Sequence, residues 1–190
     1  MKALSALMLI VEKRNGDIKA RKCAVKSKQR TFPGYVKSEC ASHIVSTDGV
    51  IITSVIEAYK GCDVAVVDLP NAFLNAINSE QTLMLLKGKL AELMVHIDLK
   101  INRKYTITSS KGEPMLYICL SKALYGLLQS ALPFYRKLRS ELEDHGFKVN
   151  PYDPCVANKM INGEQMTVTC HVEDLIAIHV RYLEVVNMPC

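Results

Sequence analysis

The sequence predicts an α+β chain, and three observations lead there. Apolar residues recur at helical spacing in two stretches, 46–59 and 130–145. Between and after them lie short apolar runs bounded by turn signals, the pattern of strands. Apolar residues make up 49% of the 190, enough for a packed interior built mainly from Leu, Ile, Val, Met and Ala, since Trp is absent.

Taken in order, residues 3–11 are apolar and end at Asn15-Gly16, so a strand leading into a hairpin is expected. The return stroke is basic, and Pro33-Gly34 breaks it. From Ser46 to Tyr59, Val50, Ile51, Val55, Ile56 and Tyr59 mark a helix, with Thr47 or Asp48 as its cap and Gly61 as its stop. Asp63 to Asp68 is an apolar run ending in a carboxylate, read as a buried central strand that Pro70 stops. Residues 82–97 read as a strand followed by a short helix. A turn at Lys111 to Pro114 precedes a strand over Met115–Leu120. From Ser130 to His145, Ala131, Phe134, Tyr135, Leu138 and Leu142 form one helical face. Ser130 is the expected N-cap and Gly146 the stop, and Pro133 is harmless in the first turn. Asn162-Gly163 is a two-residue hairpin signal between strands at 155–161 and 165–171. A second tight turn at Val172-Glu173-Asp174 leads into Leu175–Val180.

The net charge of +5 is concentrated: the segment Lys13–Arg30 carries +7, leaving −2 for the rest. Such a stripe can neutralise phosphates, and it can equally be a solvated hairpin. Seven scattered cysteines form no CxxC pair, which suits free thiols in a reducing compartment. The apolar stretch Leu4–Val11 is too short to span a bilayer and lacks the small-residue cleavage site of a signal peptide. The expectation is an intracellular, cytoplasmic chain with no membrane partner.

Two features call for chemistry. Asp68 ends an apolar strand, where an unpaired charge is costly, and Glu173-Asp174 sits at a hairpin tip. If both strands share a sheet, three carboxylates meet at one edge, and such a cluster is stable only with cations. Two magnesium ions about 4 Å apart are the usual solution in phosphoryl transfer. The alternative is plain turn chemistry, with Asp68 capping a helix and Glu-Asp filling a tight turn.

Four segments then occur in a telling order: Asp68-Leu-Pro-Asn-Ala-Phe-Leu-Asn75, Leu120-Ser-Lys-Ala-Leu-Tyr-Gly-Leu-Leu-Gln129, Tyr152-Asp-Pro-Cys155 and His171-Val-Glu-Asp174. This series resembles the copia-type retrotransposon reverse transcriptases, which show D-V-K-T-A-F-L-N-G, L-K-K-S-L-Y-G-L-K-Q, D-x-C and Y-V-D-D. Lys19-Ala-Arg21 is similar to the family's K-A-R-L-V. The resemblance spans nearly the whole chain. It implies a right-hand polymerase with fingers (near 1–62 and 80–120) and palm (near 63–79 and 121–190), an antiparallel palm sheet packed on helices, and no thumb.

It also implies an RNA-directed DNA polymerase in which Asp68, Glu173 and Asp174 are catalytic and hold two Mg²⁺ ions, with Mn²⁺ as a substitute. Phe73 would act as a steric gate under the incoming sugar, though locally it reads equally well as a core residue. Tyr125, Gly126 and Gln129 would line the nucleotide pocket, and Lys19 and Arg21 would reach the triphosphate. The implied partners are an RNA or DNA template-primer, deoxynucleoside triphosphates and the remainder of a polyprotein, assembled in a virus-like particle if functional. Three departures stand out. Glu173 replaces an aspartate that ligates metal, and its extra methylene moves the carboxylate outward by more than an ångström. A site tolerant of about 0.5 Å, losing about a hundredfold in rate per 1 Å, is then severely impaired. His171 replaces Tyr at a position that is not a ligand, and Leu128 replaces a Lys near the template. The alternative expectation is a dead, truncated remnant that at most binds nucleic acid.

Overall fold

A computed structural model of the chain describes residues 3–25, 42–172 and 174–180. Among them it is a mixed α and β structure with two five-stranded sheets and four α-helices. The chain folds as two compact units, Met1–Cys40 with Phe73–Ser130, and Ala41–Ala72 with Ala131–Cys190. The divisions therefore fall at 40, 72 and 130, where the motif series suggested 62, 79 and 120.

The first unit is built on β1 (Leu4–Glu12) and β2 (Ile18–Ala24), the hairpin signalled by Asn15-Gly16. Gly16 takes φ 84°, which the turn requires and a side chain resists. Strand β4 (Ile77–Lys87) runs parallel to β1, with Leu4 opposite Met84. Strand β6 (Pro114–Lys122) pairs antiparallel with β4, and the short β5 (Thr106–Thr108) closes the order β2-β1-β4-β6-β5. Helix α2 (Lys89–Ile97) sits on this sheet through Ala91, Leu90 and Met94, and α3 (Leu99–Asn102) follows it. Leu4, Met84, Leu86 and Leu116 are fully buried beneath it, each contributing about 1.5–3 kcal/mol.

The second unit holds α1 (Thr47–Lys60), β3 (Asp63–Asp68), α4 (Ala131–Asp144) and the meander β7 (Lys148–Val149), β8 (Val156–Ile161), β9 (Glu164–His171) and β10 (Asp174–His179). Its sheet order is β3-β10-β9-β8-β7, all antiparallel. Tyr135 and Leu142 of α4 pack with Phe147, Cys155, Met166, Val168 and Leu175 into one core. The helix ends in a Schellman arrangement: Phe147 N–H donates to Leu142 C=O, Gly146 N–H to Glu143 C=O, and Gly146 adopts φ 83°. At the β8–β9 turn Asn162 and Gly163 take φ 51° and 85°, as a two-residue turn of the primed type demands.

Two expectations are corrected. The helix cap is Ser46 rather than Thr47 or Asp48: Ser46 is extended, and its Oγ accepts the Gly49 N–H at 2.9 Å. Among the described residues strand β3 is not a buried central strand but the sheet's edge, with Val66 70% exposed and Asp68 exposed. An apolar run fixes neither position in a sheet nor the number of covered faces. Helix α1 likewise has an apolar stripe but no buried residue.

Candidate active site

In the second unit, antiparallel register sets Asp174 directly opposite Asp68 on one side and opposite His171 on the other. Residues paired in this way project from the same face, so His171, Asp174 and Asp68 form one row across β9, β10 and β3. Directly opposed Cβ atoms lie about 4.5–5.5 Å apart, and like charges so placed oppose folding. All three side chains are exposed. At about 5 Å in water two carboxylates repel by about 0.8 kcal/mol, a cost that a bound cation would reverse. The charge that the sequence suggested would be stranded in an apolar strand is thus hydrated instead.

Glu173 lies outside the described residues, so the third carboxylate has no described position. Among the described residues no group of three His, Cys, Asp or Glu is arranged to hold a metal ion. The connection from β9 to β10 is two residues long, and Val172 within it takes φ 58°. A β-branched residue there costs about 1–2 kcal/mol, and such strain persists only where surrounding structure enforces it.

In the first unit a second group of predicted residues comes together. The Phe73 and Tyr125 rings meet edge to face at 4.7 Å between centroids, and the Arg21 guanidinium stands 5.7 Å from the Tyr125 centroid. The loop that carries Tyr125 is fixed from below. Ala123, Leu124 and Leu127 are buried, and the Ser130 hydroxyl both accepts from Leu124 N–H and donates to Leu124 C=O. Gly126, at φ 85°, lies against the backbone of Ala24, where a Cβ would collide with the Ala24 carbonyl oxygen. Ala24 N–H donates to Tyr125 C=O at 2.8 Å, tying β2 to the loop. Lys19 shares the Arg21 face of β2 and is exposed, and Gln129 is half-buried at the end of the loop. Burial lowers the pKa of Lys22, on the opposite face. Lys26, Lys28 and Arg30 of the basic stripe fall outside the described residues.

The Asp153-Pro-Cys155 segment has a role that motif order alone did not reveal. Asp153 Oδ2 accepts the Ser46 N–H at 2.9 Å and the Ser46 hydroxyl at 2.8 Å, while Oδ1 accepts the Cys155 N–H at 3.0 Å. Desolvation pushes this carboxyl up, but the Ser46 and Cys155 hydrogen bonds, aided by His43, outweigh it and hold its pKa below the usual value. Asp153 is therefore a staple holding the start of α1. The signal was available in Asp-x-Cys beside an Asn150 turn, but its partner at Ser46 is 107 residues distant. Cys155 and Cys170 are core thiols: burial raises them to about 11 and about 12, so neither is a nucleophile at neutral pH. Cys23, Cys62, Cys119, Cys155 and Cys170 are free.

No protein-family model, no curated protein and no solved structure matches the chain. Among the described residues no helix is long and apolar enough to cross a membrane.

Proposed function

We propose that the chain is the fingers-and-palm portion of a copia-type reverse transcriptase, an RNA-directed DNA polymerase working within a polyprotein and impaired by Glu173. The observation that carries this reading is the cross-strand pairing of Asp68 with Asp174. Two hard oxygen donors in register, both exposed and otherwise repelling, fit Mg²⁺ or Mn²⁺, which bind through carboxylates and retain water. Bound there, two ions would activate a primer 3′-hydroxyl and neutralise the departing pyrophosphate of a deoxynucleoside triphosphate. Asp68 and Asp174 hold the ligand positions, and Glu173 supplies the third carboxylate from a longer arm. The Phe73–Tyr125–Arg21 cluster has the chemistry of a nucleotide contact: ring faces for a sugar or base, and a guanidinium for a phosphate.

Primer extension on an RNA or DNA template-primer tests this directly. With Mg²⁺ or Mn²⁺ the native chain should extend weakly, Glu173→Asp should gain about a hundredfold, and Asp68→Asn should be silent. Extension that survives Asp68→Asn overturns the assignment. A second reading, a remnant that binds nucleic acid without extending it, is favoured by the glutamate at 173. Silence of Glu173→Asp, with the template-primer still bound, would establish it.

A further inference from the structure

At the far side of the second unit's sheet, a cavity of about 520 Å³ opens beside β7 and β8. It is separated from the Asp68–Asp174 pair by the length of β9, about 20 Å from His171 to Gln165. Lys148 and Lys159 line it together with Asn150, Asn158 and Gln165, and among the described residues no acidic side chain does so. The carboxamides are oriented by their own hydrogen bonds. Asn158 Oδ1 accepts from Thr167 Oγ1 at 2.8 Å and from Gln165 Nε2 at 3.0 Å, which commits its oxygen and leaves its amino group without a partner among the described residues. Asn150 Oδ1 accepts the N–H groups of Tyr152 and Asp153, with the same consequence for its amino group. The Lys159 ammonium is held over the Phe147 ring at 5.6 Å. Register pairs Lys148 with Asn158, so one ammonium and fixed amide donors share a face, whereas Lys159, paired with core Met166, projects from the other.

Donors without competing carboxylates select an anion, and two further features narrow the choice. Pro151 and Met160 add apolar lining, suited to a sugar or base rather than to a bare ion. Next to Pro151, and fixed to it through the Asn150 turn, Tyr152 is 96% exposed. A fully presented aromatic ring beside a phosphate-binding lysine is the arrangement that single-stranded nucleic acid uses, because an unpaired base has a free face to stack. We propose that this surface binds a single strand of RNA or DNA. Lys148 and the Asn150 and Asn158 amino groups take a backbone phosphate, and Tyr152 stacks a neighbouring base. The proposal is independent of polymerase activity, since it uses none of the carboxylates.

Fluorescence anisotropy with a labelled 12-nucleotide oligo-dT or oligo-U, titrated between 50 and 200 mM salt, tests it. Replacing Lys148 by Gln should reduce the salt slope by about 0.7. Tyr152→Ala should weaken binding about tenfold. Lys148 and Tyr152 are exposed, so the pair Lys148→Gln and Tyr152→Ala removes both contacts without disturbing the core. Lys89→Gln, at an exposed lysine outside both sites, should leave the affinity unchanged, which separates this site from a general effect of charge. Unchanged affinity and slope in the Lys148→Gln, Tyr152→Ala variant overturn the proposal. So does displacement of the oligonucleotide by millimolar inorganic phosphate alone, which would identify a free-phosphate site.

Discussion

Removing the Asp153 carboxylate should release helix α1 from the second unit. Three donors lose their acceptor in Asp153→Ala: the Ser46 N–H, the Ser46 hydroxyl and the Cys155 N–H. Ser46 is exposed, so water takes over part of the loss, and each bond is worth about 0.5–1 kcal/mol rather than the full charge-assisted value. The sum is about 2 kcal/mol, or about 4–8 °C in Tm for a chain of this size. The damage should be local first. Helix α1 has no buried residue, and Val45, just before it, packs against the core, so amide protection in 47–60 should collapse before that of β8 and β9. The pH dependence follows from the sign of the shift. Asp153 has a folded pKa below its unfolded value, so its contribution is complete above about pH 4 and disappears as pH falls through the folded pKa. The Tm difference between native chain and Asp153→Ala should therefore be flat from pH 5 to 8 and shrink on acidification below 4. Hydrogen exchange and thermal melts measure both. A variant with undiminished α1 protection, or a Tm gap that persists to pH 2, refutes the reasoning.

Three further substitutions probe backbone conformations described above. Gly126→Ala must accept φ 85° and collide with the Ala24 carbonyl, so urea unfolding should show a loss of about 2–4 kcal/mol, whereas Gly163→Ala, with open space around it, should lose only about 1. Val172→Asn should stabilise by about 0.5–1 kcal/mol, because Asn tolerates the left-handed region that Val172 occupies at φ 58°; a fall in the urea midpoint would contradict this.

What could be read in advance followed from local chemistry. Gly146 and Asn162-Gly163 dictate backbone conformations that few residues adopt, so the end of α4 and the β8–β9 hairpin were legible. The bounds of β3 were also legible, since Asp63 and Asp68 bracket its apolar run. Its edge position was not, because it depends on β10 pairing with it from more than a hundred residues away. The parallel contact of Leu4 with Met84 was hidden for the same reason. At the candidate site, Asp68 and Asp174 were picked out by their places at strand ends, yet direct register between them is a property of pairing. Arg21 over Tyr125 and Asp153 on Ser46 are also long-range meetings, and no spacing rule in the sequence announces them.

The edge position of β3 gives Asp68 a second occupation. Among the described residues this strand pairs only with β10, so its other side presents backbone donors and acceptors next to exposed Val64 and Val66, an invitation to another chain. Acidic residues at both ends, Asp63 and Asp68, act as electrostatic guards against such self-templating. Neutralising Asp68 disarms one guard while removing a proposed metal ligand, so the soluble fraction of that variant has to be weighed alongside any loss of extension.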